Sequence, residues 1–118
     1  MALRSPSTTF AQTKIQHFQQ MVKHIVMFRL KKGPEAVRRE AMEQFKTGIE
    51  RLPEVIHYIR AIRVGFNINA DESWDICLDS SFDTLEDVRS YSINPAHRAV
   101  AGALAPNVEA RSCVDFEL

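Results

Sequence analysis

The sequence predicts one α+β domain in which helices cover one face of a four-stranded antiparallel sheet, and three observations support this prediction. The chain has 118 residues, of which 45% are hydrophobic and 25% are charged, enough for one layered core and too few for two ordinary domains. Several short segments alternate apolar and polar side chains, as strands do, while others repeat apolar side chains at helical spacing. Along the chain these segments follow the order β-α-β-β-α-α-β.

Charge and cysteine content argue against several classes of function. The 15 basic and 15 acidic side chains leave no net charge, so we expect no nucleic-acid partner. No apolar run approaches the roughly 20 residues that a helix needs to cross a bilayer, so we expect no membrane association. Cys77 and Cys113 stand far apart, without a Cys-x-x-Cys pair or a nearby histidine cluster. This pattern predicts neither a zinc site nor a disulfide framework, and it favours a reducing, cytoplasmic location.

The first 20 residues differ in composition from the rest of the chain. They carry Arg4 and Lys14 but no acidic residue, and they are rich in Ser, Thr and Gln. We therefore divide the chain into an N-terminal extension, residues 1–20, and a compact domain, residues 21–118. The extension is an added arm, an artefact of the start site or a targeting leader, since basic, hydroxyl-rich and acid-poor leaders resemble organelle transit peptides.

The first predicted strand, residues 23–30, is apolar on both faces. His24, Val26 and Phe28 alternate with Ile25 and Met27, so each face carries apolar side chains at the centre of the strand. A strand of this kind has to be covered on two sides. Helices can cover one side, and in so short a chain a second copy of the protein is the expected cover for the other.

A helix and a second strand follow. Pro34 suits the first turn of a helix whose apolar stripe recurs at helical spacing. The members of this stripe are Val37, Ala41, Phe45, Ile49 and Leu52. Pro53 ends the helix, and the alternation of apolar residues over residues 55–64 predicts the second strand.

Two capping patterns organise the second half of the chain. A third strand is predicted over residues 74–82, and Thr84 then begins a capping box at the start of the next helix. Asn94 can cap another short helix that has Pro95 at its first position. The last segment, residues 110–118, is the predicted fourth strand.

This order is that of the split βαβ, or ferredoxin-like, arrangement, in which helices pack on one face of the sheet and leave the other face open. Burying the open face against the same face of a second copy gives a twofold symmetric dimer. We therefore predict a homodimer in which two such subunits form a dimeric α/β barrel. Strands three and four should both flank the first strand, which would hold Cys77 and Cys113 too far apart for a disulfide.

Two motifs in the compact domain carry a family resemblance. One is the apolar first strand with His24, and the other is the late Tyr-x₃-Pro-Ala-His pattern formed by Tyr91, Pro95, Ala96 and His97. Together, over residues 21–118, they resemble the stress-responsive A/B barrel (Dabb) family. The pairing is more specific than either motif alone. The resemblance implies a dimeric barrel, usually without a metal or organic cofactor.

The same motifs are similar to those of a plant polyketide cyclase of this family, which carries out an intramolecular aldol condensation. The resemblance implies that Tyr91 and His97 act as acid and base and that His24 belongs to the same site, whereas Phe45 stands where the cyclase has a tyrosine. A neutral imidazole can take a carbon-bound proton while a phenol hydrogen-bonds a developing enolate. The position of His97 in the first turn of a helix favours the neutral base.

Three hypotheses about function remain open from the sequence. The first is a pocket between sheet and helices that binds a small hydrophobic or carbonyl-containing molecule, with His97, Tyr91 and His24 as its catalytic residues. The walls of this pocket would be Val26, Phe28, Phe45, Leu78 and Val100. The second is a polyketide cyclase-like enzyme that uses the tyrosine and the histidine as acid and base. The third is a non-enzymatic, stress-related dimer in which the same residues only stabilise the core. Structurally similar dimeric barrels suggest one further alternative, a cofactor-free monooxygenase or a haem-binding protein, which no feature of this sequence favours.

Overall fold

A computed structural model describes residues 21–118, in which three helices lie on one four-stranded sheet. The predicted extension, residues 1–20, lies outside the described residues. The elements are β1 (Val22–Leu30), α1 (Glu35–Glu50), a 3-10 turn (Leu52–Glu54), β2 (Ala61–Phe66), β3 (Ile76–Phe82), α2 (Leu85–Ile93), α3 (Pro95–Leu104), a second 3-10 turn (Ala105–Asn107) and β4 (Val108–Glu117). The predicted order and the α+β class are confirmed. Among residues 21–118, no helix has the length and apolar character needed to cross a membrane.

The four strands form one antiparallel sheet in the order β2-β3-β1-β4. β1 is a central strand and is flanked by β3 and β4, as predicted. Its register places His24 opposite Ser80 of β3 and Asp115 of β4. Because side chains alternate between the faces of a strand, this register decides which side chains of β4 share a face with His24.

The core lies between the helices and one face of the sheet. The helical residues that contribute most fully buried side chains are Phe45 and Ile49 of α1, Val88 and Tyr91 of α2, and Leu104 of α3. Removing such apolar surface from water stabilises a fold by about 25 cal/mol per Å². Val37, predicted as part of the buried stripe of α1, is instead 55% exposed because it faces a groove between α1 and α3 rather than the sheet.

The second strand begins later than predicted. The prediction covered residues 55–64, but the chain between Leu52 and Ile59 runs through turns, and β2 starts only at Ala61. Leu52, Ile56 and Ile59 are all buried. Turns place these three side chains on one side of the chain, whereas an extended strand would send Ile56 and Ile59 to opposite faces. The strand prediction was therefore wrong for residues 55–60.

Side-chain caps begin both α2 and α3. Thr84 Oγ1 accepts a backbone N–H of the first turn of α2 at 3.0 Å, and Asn94 Oδ1 accepts the Ala96 N–H at 2.9 Å. Caps of this kind typically contribute about 1 kcal/mol each. Both predicted caps are confirmed, and the Asn94 cap lies at the α2–α3 corner, which carries Tyr91 and His97.

The other face of the sheet has no helix against it in the described residues. Ile25 of β1 lies opposite Val114 of β4 on this open face, and Phe116 follows two residues along β4. Val114 and Phe116 are 53% and 46% exposed. An exposed apolar patch of this kind is typical of a surface that another protein covers.

The two cysteines lie on opposite faces of the sheet. Cys77 is opposite Met27 of β1 on the open face, and Cys113 is opposite Val26 on the helix-covered face. Both are free thiols. The prediction that they do not pair within one chain is confirmed. The physical reason is that the two side chains point to opposite sides of the sheet.

Candidate functional site

A cavity of about 350 Å³ lies between the helix-covered face of the sheet and the corner of α2 and α3. This volume is within the range of small-molecule sites. Six of the eight site residues predicted from the sequence line the cavity, and they are His24, Val26, Phe28, Phe45, Leu78 and His97. The structure thus brings residues from β1, α1, β3 and α3 to one partly open, mainly apolar space.

Val100 and Tyr91 are not among the lining residues. His97, Ala101 and Ala105 face the cavity at intervals of four residues, and Val100 is rotated from Ala101 by about 100° around the helix axis. Val100 consequently packs where α3 crosses α1 and lines a separate groove there.

His97 presents one ring nitrogen to a fixed acceptor. Its Nδ1 donates to the carbonyl oxygen of Ser92 at 3.2 Å. A carbonyl oxygen can only accept, so the proton of the neutral ring sits on Nδ1 and Nε2 keeps its lone pair. Burial is the largest effect on the imidazole and lowers its pKa; the Ser92 hydrogen bond opposes this, and nearby His24 and Arg111 lower the pKa further. His97 is therefore a neutral proton acceptor in the cavity wall.

Tyr91 holds the histidine by ring contact rather than by a hydrogen bond. Its ring centroid lies 4.2 Å from that of His97, 5.1 Å from Phe82 and 6.0 Å from His24. The side chain is fully buried, and its hydroxyl has no hydrogen-bond partner among residues 21–118. Burial raises the pKa of the phenol, so the hydroxyl stays protonated.

His24 is reached by two side chains of β4 that sequence reasoning did not connect to it. Its Nδ1 lies 2.5 Å from Asp115 Oδ1 and 3.7 Å from Cys113 Sγ. Burial raises the pKa of the Cys113 thiol, and the charge of Asp115 raises it further. The predicted topology places β4 beside β1, but only the register of the structure puts these alternate residues of β4 on the face on which His24 lies.

Arg111 is the other residue that the sequence did not assign to the site. It lines the cavity from β4, and no acidic side chain among residues 21–118 lies within ion-pair distance of its guanidinium. A guanidinium is a strong donor to oxyanions. Among the lining residues it is the one side chain with a permanent charge.

Fold and cavity together define a class of protein, a ferredoxin-like α+β domain with a ligand-sized space between its sheet and its helices. The model of the stress responsive A/B barrel domain family matches residues 22–118. The chain belongs to this family, as the two sequence motifs indicated.

Comparison with solved structures agrees with this assignment. A dimeric protein of unknown function with a ferredoxin-like fold from Bacteroides fragilis is 47% identical, with a TM-score of 0.83 over 86% of this chain and 99% of that one. A dimeric ferredoxin-like protein of unknown function from Thermobifida fusca is 26% identical, with a TM-score of 0.70 over 84% and 92% of the two chains. The ferredoxin-like fold predicted from the sequence is confirmed.

A third structure shares the fold at low identity. Hydroxynitrile lyase from Passiflora edulis is 17% identical, with a TM-score of 0.70 over 85% of this chain and 94% of that one. At this identity the likeness concerns the fold alone. Among curated proteins, comparison with this chain finds no match.

Proposed function

We propose that this chain binds a small apolar molecule with a carbonyl group in the cavity between the sheet and the α2–α3 corner. Apolar walls with a few convergent polar groups are typical of such a ligand site, and the charged or titratable groups here are His24, His97 and Arg111. The state of His97 is the observation that supports the proposal most directly. The side chain is a neutral imidazole, and its Nε2 has no partner among residues 21–118.

The groups around the cavity suit proton abstraction next to a carbonyl. The C–H bond of the ligand would break, and its proton would pass to Nε2 of His97. The electron pair of that bond would form a carbon–carbon double bond while the π electrons of the carbonyl group move to its oxygen. Arg111 is the group that would stabilise the negative oxygen of the resulting enolate. Both residues line the same cavity.

Tyr91 takes a different part in this proposal from the acid role that the family resemblance implies. Its hydroxyl is buried and does not line the cavity, so we propose that its ring orients the imidazole of His97. Tyr91 is then a positioning residue. Its hydroxyl would be dispensable for ligand binding, whereas its ring would not.

A thermal-shift experiment tests the ligand site. Wild type, His97→Ala, Tyr91→Phe and the exposed control His57→Ala would be heated with aromatic and β-keto carbonyl compounds. A compound at about 100 times its Kd stabilises the folded state by about 2.7 kcal/mol, which corresponds to roughly 10 °C in a domain of this size. We expect this shift in wild type, in Tyr91→Phe and in His57→Ala, and its loss in His97→Ala.

Two results would overturn the proposal. One is a panel in which no compound shifts the melting temperature of wild type, which would favour the non-enzymatic dimer. The other is a shift that His97→Ala retains in full, because the ligand would then bind elsewhere. Loss of the shift in Tyr91→Phe would show that the Tyr91 hydroxyl is needed for binding and would favour the acid role that the family resemblance implies.

We further propose that the protein works as a homodimer in a reducing, cytoplasmic environment. The open sheet face carries exposed apolar side chains, including Val114 and Phe116, and the 47% identical relative is described as dimeric. The two free thiols support the reducing compartment, since structural disulfides belong to oxidising ones.

A further inference from the structure

Three side chains of different chemistry converge beside the cavity, on the face that β1 and β4 share. They are His24, Cys113 and Asp115, and one possible ligand atom from each lies within 4.8 Å of the other two. The register explains the convergence. Asp115 is directly opposite His24, and Cys113 precedes it by two residues, so both β4 side chains lie on the same face as the histidine.

The geometry argues against a catalytic relay. In a cysteine–histidine–carboxylate relay the thiol and the carboxylate contact different ring nitrogens, so that the proton can pass across the imidazole. Here Asp115 Oδ1 and Cys113 Sγ both approach Nδ1 of His24. The three atoms therefore surround one point in space rather than forming a line.

One distance around that point already matches a metal site, and a second matches it after a movement of Asp115. A tetrahedral zinc ion with usual bond lengths would hold its nitrogen and sulfur ligands about 3.6 Å apart, and the distance from His24 Nδ1 to Cys113 Sγ is 3.7 Å. The same geometry needs about 3.4 Å between nitrogen and carboxylate oxygen, compared with 2.5 Å between His24 and Asp115. Asp115 has to withdraw by about 0.9 Å, and its side chain, 31% exposed at the sheet edge, has room to do so.

We propose that His24, Cys113 and Asp115 form a binding site for a divalent transition-metal ion of the zinc class. A thiolate, an imidazole and a carboxylate are the ligand types that zinc takes in proteins, and three protein ligands leave a fourth position open. On binding, the Cys113 S–H bond breaks, its proton passes to solvent, and a sulfur–metal bond forms. His24 Nδ1, which donates its proton to Asp115 in the free protein, also gives up that proton, to Nε2 or to solvent, so that its lone pair can bind the metal.

The charges around the site support this assignment. The Cys113 thiolate and the Asp115 carboxylate together neutralise a divalent ion, so the neighbouring cation Arg111 faces no net positive charge. His24 is 5% exposed and held within β1, which makes it a rigid ligand. The sequence alone predicted no metal because His24 is far from Cys113 and Asp115 along the chain and meets them only where β1 pairs with β4. The site does not depend on the proposed carbonyl ligand.

Metal titration of the reduced full-length chain tests the proposal. Zn²⁺ binding would be followed by calorimetry, and Co²⁺ binding by the near-ultraviolet absorption that marks a thiolate–cobalt bond. The variants are Cys113→Ser and Asp115→Asn, both at exposed positions, and the control is Cys77→Ser, which removes the other thiol on the opposite sheet face. Circular dichroism would establish that each variant is folded.

We expect one high-affinity Zn²⁺ per chain and a thiolate–cobalt absorption band in wild type and in Cys77→Ser. Cys113→Ser should abolish the band, and each site variant should weaken Zn²⁺ binding by more than the roughly 10- to 100-fold that loss of an outer-shell partner costs. The proposal is wrong if wild type binds no Zn²⁺, if Cys113→Ser binds it as tightly as wild type, or if Cys77→Ser abolishes the band.

Discussion

Two properties of His97, its tautomer and its pKa, are set by different features of its surroundings. The Ser92 carbonyl chooses the tautomer by accepting from Nδ1, and burial lowers the pKa of the ring. A hydrogen bond to the proton-bearing nitrogen alone would raise the pKa. Because burial outweighs it, the ring remains neutral and keeps Nε2 available, which is the state a proton acceptor needs.

The lowered pKa of His97 makes stability depend on pH. In the unfolded chain the imidazole takes up a proton below about pH 6.5, whereas the folded chain takes it up only at lower pH. The unfolded state binds more protons in this window, so the free energy of unfolding is fully retained above pH 6.5 and falls as the pH drops below it. His97→Gln should flatten this slope between pH 7 and pH 5 by up to about 1.4 kcal/mol per pH unit.

Chemical denaturation of wild type and His97→Gln at a series of pH values measures the effect. Carboxylate titrations occur in both proteins and cancel in the difference. Parallel curves for the two proteins between pH 7 and pH 5 would contradict a lowered pKa of His97.

At the scale of elements, α3 is held in place by its close approach to α1. A Cβ atom built on Gly48 of α1 would lie 2.9 Å from Val100 Cγ1 of α3, which is too short for an ordinary contact. Valine is β-branched and cannot easily turn away within a helix. This crossing rotates Val100 out of the cavity while His97 and Ala101 face into it.

Gly48→Ala should therefore lower the free energy of unfolding by about 1 kcal/mol, because overpacking of about 1–3 kcal/mol exceeds the roughly 1 kcal/mol gained in helix propensity. In a Val100→Ala background the overlap disappears, and the same substitution should raise stability by about 1 kcal/mol. Urea denaturation of the four proteins of the cycle measures both values.

Gly102 supplies the matched control for this cycle. It lies in α3, and a Cβ built on it meets nothing within 4 Å, so Gly102→Ala should stabilise the protein in either background. If Gly48→Ala stabilises wild type as much as Gly102→Ala does, the close helix crossing does not constrain the position of α3.

At the scale of the whole molecule, the sheet has two apolar faces and the described helices cover only one. β1 turns His24 and Val26 toward the helices and Ile25 toward the open face. When the same face of a second sheet packs against the open face, the apolar residues of both faces are buried away from water. The proposed dimer is the arrangement that would satisfy this requirement in a chain of this length.

Val114→Asp places a charge within the proposed dimer contact and should convert the dimer to a folded monomer at micromolar concentration, because an unpaired buried charge is costly. Size-exclusion chromatography with light scattering measures the mass. The matched control is Val37→Asp, since Val37 is 55% exposed and Val114 is 53% exposed, but Val37 lies in the helical layer. Dissociation by Val37→Asp rather than by Val114→Asp would place the contact on the helices.

By itself, the sequence determined the order of the elements, the caps that begin α2 and α3, the two-faced character of β1 and the family. All of these depend on local periodicity or on short motifs, which need no knowledge of the rest of the chain. Local periodicity was wrong for residues 55–60, where buried side chains in turns imitate a strand, and for Val37, which faces a groove between two helices.

Only the tertiary structure decided how the site is composed. It turned Val100 away from the cavity and buried the Tyr91 hydroxyl, and it brought Arg111 into the cavity wall. It also brought Cys113 to His24, 89 residues earlier in the chain. These outcomes depend on strand register and on helix crossing, which are contacts between distant segments, and neither leaves a periodic signal in the sequence.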